Sequence, residues 1–413
     1  MKRCVLAGLW ALFFAAPGLA QPVPVPRDLP ATAQAVAWID KDPSVVEARR
    51  ALAAATHGAA ALAAGSYEWT VRAAAQQRNV RDSGNSNEWA AQLERAVRIG
   101  GKAGLDRELG EAELAIAQAR IGQARQDAAR ALADLWLDWL AAARATELLQ
   151  EQLSFAEANL AAVDKRRRAG DASALDASVA QTDLAEVQRQ ASQGASNLAK
   201  ARAKLRVRFA DAPLDAVALA DPADPVWPEA GWRERILAQA AALKAAEGQL
   251  RRAELSAARA QADKLPDPTV GVYTATENFR NERTIGISLS IPLAGTYREE
   301  RARQSLQEAE AARAAIERAR QGIETEVAET FADAAGSVQR WRLVERGAQA
   351  SREGARLMQR AYALGEADLQ ALLLVRRQSL DVSRAALEAR VEALRSNYRL
   401  LIDARLIWNL THD

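Results

Sequence analysis

The side chains that most often carry chemistry are nearly missing from this 413-residue chain. It holds two histidines, His57 and His412, and one cysteine, Cys4, too few for the familiar zinc, iron–sulfur or disulfide frameworks. His57 lies in an alanine-rich run and His412 at the C-terminal end. With no Ser/His/Asp arrangement and no phosphate-cradling glycine loop in a credible context, neither an enzyme nor a bound cofactor nor a resident metal is expected. The 55 Lys and Arg face 53 Asp and Glu, so there is no basic field to hold nucleic acid. Two glycines, Gly170 and Gly365, suit positive-φ positions after helices. Lys165 to Arg168 is a basic run just before the first, open to two readings: compensation of a helix dipole, or contact with a partner. Ser173 and Asp368 stand where they can cap the helices that follow.

The rest of the composition describes the elements that must position these turns. Alanine takes about 97 positions and aromatics only 5%, while 26% of residues are charged. Such a chain favours long helices packed closely side by side over a compact α/β domain. Residues 1–20 read as a secretory signal peptide: Lys2 and Arg3, an apolar stretch from Val5 to Ala16, then small residues ending at Ala20. Its removal takes away Cys4 and lowers Lys and Arg by two, to 53 against 53 acids. No later run is long and apolar enough for a membrane helix.

Prolines mark the organisation. None occurs between Ser44 and Ala212 or after Pro292, which leaves two long stretches free for helices. Residues 21–43 form a proline-rich N-terminal segment, and 211–228 a linker between a first repeat, 44–210, and a second, 229–413. The repeats match in element order: Ile99-Gly100-Gly101 falls on Leu293-Ala294-Gly295, and Gly170-Asp171 on Gly365-Glu366.

Each repeat contains an alternating β-hairpin, about 67–99 and about 268–291. Ile285, Ile287, Leu289 and Ile291 alternate with small or polar residues, as do Val270 and Val272 on the preceding strand. In the first repeat Trp69, Val71, Ala73 and Ala75 alternate with polar neighbours, as do Trp89, Ala91 and Leu93, and residues 81–87 read as a polar loop. Strands of about ten residues, apolar on one side and polar on the other, suit a membrane barrel or a soluble, half-buried hairpin. Four strands cannot close alone, and an open edge in lipid is costly, so a barrel must be shared between chains. Two copies would give eight strands and a filled interior, and three would give twelve and an open lumen.

Long helices follow the hairpins over 102–168 and 297–363, each about 100 Å at ~1.5 Å per residue. Returning helices over 173–208 and 368–405 complete two helical hairpins with one arm about twice the other. The expected fold class is mainly α with a small β part.

This order of elements resembles the TolC-like outer-membrane efflux proteins. Within that family Gln92 to Lys102, Leu265 to Val272 and Gly286 to Leu293 are similar to the CzcC-like branch, which serves heavy-metal efflux. The resemblance implies a homotrimer, with four transmembrane strands per chain making a twelve-stranded barrel in outer-membrane lipid above an α-helical periplasmic tunnel. It further implies a periplasmic adaptor (membrane fusion protein) and an inner-membrane RND pump as partners. Arg168, Gly170, Asp171, Leu364, Gly365 and Glu366 would be the adaptor-docking tips. The family narrows the tunnel near its tips with carboxylates after the second glycine, where this chain has apolar Leu369 to Leu374. The nearest acids, Asp171, Asp176, Glu366 and Asp368, are candidates for a constriction or simply helix caps. Drug export, protein secretion, or a soluble periplasmic coiled-coil scaffold are the alternative roles.

Overall fold

A computed structural model describes residues 24–81, 84–214, 217–408 and 410. The expected signal peptide, with Cys4, and His412 lie outside the described residues. The elements in order are α1 (Thr32–Ile39), α2 (Pro43–Ala64), β1 (Thr70–Val80), β2 (Gly84–Ala96), α3 (Lys102–Ala169), α4 (Ala174–Arg208), α5 (Glu229–Gln239), α6 (Ala241–Ala262), β3 (Thr269–Glu277), β4 (Glu282–Ser290), α7 (Thr296–Ala363) and α8 (Leu369–Asp403). The chain is mainly helical with one small sheet.

The two halves repeat each other closely. Helices α3 and α7 have 68 residues each, and α4 and α8 have 35 each. At ~1.5 Å per residue the longer pair runs about 100 Å. The long helices gather the shorter ones around them: α3 lies against α2, α4, α6 and α8, and α7 against α5, α6 and α8. Alanine and glycine permit the close approach. A Cβ on Gly110 of α3 would come within 2.9 Å of the Ala59 Cα on α2.

The main core forms a waist. Trp136, Trp139 and Leu140 of α3 meet Leu205 of α4, Leu394 and Tyr398 of α8, and Trp408 near the C-terminus. Residues 24–43 of the proline-rich segment contribute to this core. They contain α1, bury Asp28 and Leu29, and stack Trp38 on Trp136 at 6.3 Å between ring centroids. Asp28 accepts the Tyr398 hydroxyl at 2.6 Å, and the backbone carbonyl of Asp28 accepts the Trp136 indole N–H at 2.7 Å. The 211–228 segment is likewise strapped down. Arg390 donates to the carbonyls of Leu219 and Ala220, Asn397 to that of Ala223, and Arg342 to the Asp224 carboxylate.

The single sheet has the order β1-β2-β3-β4, antiparallel throughout. The β2–β3 pairing unites the two hairpins into one wall. The expected loop over 81–87 is corrected: Gly84 to Asn87 belong to β2, paired with Gln77 to Val80. These polar residues are strand because their backbone finds a partner, which their side chains do not announce.

Candidate functional site

Register fixes what each face of the sheet presents. Val71, Leu93, Val272 and Ile287 lie opposite one another across all four strands. They form one row, exposed at 72%, 38%, 54% and 87% respectively. Ala73, Ala91, Thr274 and Ile285 form the next row, and Val270 faces Leu289 in the row on the other side. Trp69 and Trp89 are exposed toward opposite ends of this band, as aromatic girdles are in membrane barrels. Arg95 lies over the Trp69 ring at 5.7 Å.

The opposite face is polar, and its acids on β2 are buried. Glu88 and Glu94 are 4% and 9% exposed. Glu88 accepts from Gln76 at 2.8 Å, and Glu94 accepts from Gln92 at 2.8 Å and pairs with Arg72 at 2.8 Å. Gln92 also donates to the Ser288 hydroxyl at 3.0 Å, which ties β2 to β4 across β3. Gly286 lies beneath the Tyr273 ring, where a Cβ would approach within 2.6 Å. The sheet thus has one apolar face, exposed along all four strands, and one polar face on which the acids of β2 are buried beneath their Arg and Gln partners. No helix among the described residues is long and apolar enough to cross a membrane.

At the far end of the long helices, the two turns close in the same way. Gly170 and Gly365 take φ of 87° and 78°. The amide of Asp171 donates to the Arg166 carbonyl at 2.8 Å, and that of Glu366 to the Ala361 carbonyl at 2.9 Å. Ser173 caps α4 in a reciprocal box: its hydroxyl accepts from the Asp176 amide, and the Asp176 carboxylate accepts from the Ser173 amide, both at 3.0 Å. The amide and hydroxyl of Ser173 hold the Asp176 carboxyl below its ordinary value. Asp368 accepts from the Ala371 amide at 2.7 Å and caps α8. Asp176 and Asp368 are thus engaged as caps. Asp171, Glu366, Arg168 and Leu364 are exposed, with no side-chain hydrogen bond or ion pair among the described residues. The tips touch one another: Val163, Ala180, Leu369 and Leu373 form a small core, and Arg166 lies over the Tyr362 ring at 5.3 Å.

Just above this core the structure brings together residues that sequence reasoning missed. Asp183 of α4 is 7% exposed, with Arg377 of α8 at 3.7 Å, and both line a groove with Thr182, Gln370 and Leu374. Burial pushes the Asp183 carboxyl up, and Arg377 only partly offsets it. Beside them Arg376 lies over the Phe155 ring at 3.5 Å. The sequence offered no signal beyond one acid and two arginines on separate helices. His57 is exposed, and among the described residues no group of three or more His, Cys, Asp or Glu could hold a metal ion.

No family profile and no curated protein matches the chain. Solved structures do match. The outer-membrane channel OprN superposes with a TM-score of 0.77 over 92% of this chain and 91% of that one, at 21% identity. The outer membrane protein VceC of Vibrio cholerae gives 0.70 over 90% and 95% at 18% identity. CusC, described for its folding and transmembrane channel formation, gives 0.66 over 93% and 97% at 14% identity. The chain therefore has the fold of a TolC-like outer-membrane channel protomer.

Proposed function

We propose that this chain is one third of an outer-membrane exit duct in a tripartite efflux system, conducting its cargo passively. The observation that carries this reading is the four-stranded sheet with its apolar face exposed, on a chain whose helices extend about 100 Å from it. Its outer strands β1 and β4 run antiparallel to each other, so β4 of one copy can continue the ladder at β1 of the next. In lipid the ladder must close, and three copies give twelve strands around an open lumen. The helices then form a periplasmic tunnel whose tips, at Arg168 to Asp171 and Leu364 to Glu366, dock a periplasmic adaptor linked to an RND pump. With Asp176 and Asp368 engaged as caps, Asp171 and Glu366 are the tip acids left to meet a passing cation. Chemistry is not required of such a duct, and the fold is shared with channels rather than enzymes.

The decisive experiment is fractionation of the native protein. Trimers in the outer-membrane fraction that survive detergent until heated, with conductance in planar bilayers, are expected. A soluble monomer would sink the duct and favour the scaffold. We assign the cargo to divalent heavy-metal cations on the segments Gln92 to Lys102, Leu265 to Val272 and Gly286 to Leu293. Deleting the gene with its pump present then raises sensitivity to divalent metals. Unchanged metal tolerance with new dye or detergent sensitivity would assign the duct to organic solutes instead.

A further inference from the structure

The two tips are built alike but charged differently. The last turns of α3 carry Lys165, Arg166, Arg167 and Arg168 before Ala169, whereas the aligned end of α7 reads Arg360, Ala361, Tyr362 and Ala363. Both helices have 68 residues, and both are closed by a positive-φ glycine with the same amide-to-carbonyl bonds. The second copy is an internal control for what the turn requires. One cation suffices there, so the fold does not demand four at the first tip. Nor do the last carbonyls need them, since the amides of Gly170 and Asp171 already satisfy those of Arg167 and Arg166.

These four side chains are also little used within the chain. All are exposed. Arg167 has only Asp164 at 3.7 Å, and Arg166 lies over Tyr362. Lys165 and Arg168 make no ion pair or hydrogen bond among the described residues. Four adjacent like charges repel one another, and a partner of opposite charge relieves that repulsion.

We infer that the first tip is an electrostatic docking site for a protein partner whose contacting end is acidic, while the second tip contributes shape and little charge. The inference rests on the duct reading and names the partner chemistry of its tips. A protein fits better than an anionic bilayer. Asp164, Asp171, Asp176 and Glu366 are interspersed around the run and would be pressed against a flat anionic surface. A narrow protein end can set its carboxylates between them. Three copies would present the run three times around the tunnel mouth, where carboxylates from several partner ends can engage it together.

The test uses the full-length trimer in detergent and two synthetic antiparallel helical hairpins, identical except for three Glu or three Lys at the turn. Phosphatidylglycerol vesicles serve as a third probe. The Glu-tipped hairpin is expected to bind about tenfold or more tighter than the Lys-tipped one. Its affinity should drop by a similar factor between about 50 and about 300 mM NaCl. Combined Lys165→Gln, Arg166→Gln, Arg167→Gln and Arg168→Gln should weaken it about tenfold, while Arg360→Gln changes it less than about twofold. Equal binding of the two hairpins, or affinity independent of salt, would overturn the inference even if the fourfold variant fails to assemble. Vesicle binding that depends on the run, without hairpin binding, would overturn it as well. Intact outer-membrane trimers with indifferent tips would defeat this inference alone, whereas absence of trimers would defeat the duct reading itself.

Discussion

Replacing Lys102 with methionine tests how the sheet is held to the helices. Lys102 is the first residue of α3 and follows Gly100 and Gly101, both with positive φ. Its side chain is completely buried, and its ammonium reaches the Leu265 carbonyl at 2.7 Å, the Asp267 carboxylate at 2.7 Å and Asp263 at 3.2 Å. Asp267 also accepts the Tyr67 hydroxyl at 2.8 Å and the Ile99 amide at 3.0 Å. One buried pair therefore joins both flanks of the first hairpin, the start of α3 and the entry to β3. Methionine keeps the volume but strands a carboxylate that is 5% exposed. Breaking a buried pair from one side costs about 3–5 kcal/mol. At about 1.4 kcal/mol per tenfold, that is a loss of at least a hundredfold in the folding equilibrium. The assay is urea unfolding of the detergent-solubilised protein followed by tryptophan fluorescence. Adding Asp267→Asn removes the stranded charge and should restore more than half of the loss. A single variant within about 1 kcal/mol of the parent, or a double variant worse than the single, would refute the reasoning.

Other expectations follow from the same structure. Ile287→Lys places a charge in the exposed apolar row and should cost about 2–4 kcal/mol of stability in lipid, with much less effect if the sheet is soluble; folding titrations into vesicles read the difference. Gly365→Ala meets open space but a φ of 78°, so it should cost about 1–2 kcal/mol by thermal melting. A bulky charge at Gly365 should uncouple the tip while trimers still form, and failed assembly would count against docking. At Asp42, burial favours the neutral acid, but hydrogen bonds from Arg208 and Ser44 outweigh it and hold the carboxyl below its ordinary value. Its stabilisation should be complete above the unfolded value of 3.8 and vanish as pH falls through the lower folded value. Arg208→Gln should then cost about 1.5–3 kcal/mol at neutral pH and less in acid, measured by urea midpoints. Asp183 has the opposite sign: its raised pKa burdens the fold above the folded value and is relieved as pH falls toward 3.8. Asp183→Asn should be neutral or stabilising by up to about 1 kcal/mol, because Arg377 is 61% exposed and stays hydrated. A loss above about 2 kcal/mol would show that the pair is net stabilising.

What the sequence determined by itself was local. Proline-free stretches of strong helix formers imply α3 and α7, since helix hydrogen bonds close within four residues and need no distant partner. Glycines 170 and 365 mark the turns because positive φ excludes most side chains. Alternation along Ile285 to Ile291 implies a strand with two unlike faces. Tertiary structure decided the rest, because strand pairing and burial depend on residues far away in the chain. Gly84 to Asn87 looks like a loop until Gln77 to Val80 supplies its ladder. The β2–β3 pairing and the Tyr67–Asp267 bond bring together residues up to 200 positions apart. The prolines of the N-terminal segment and of 211–228 bound the long helix-forming stretches, but do not tell that the waist buries Asp28 or that Arg390 binds the strap. How the apolar residues of four separate strands come together was likewise open in the alternation. The register that aligns Val71 with Ile287 across four strands, and places Glu88 and Glu94 on the opposite face, is what decides it.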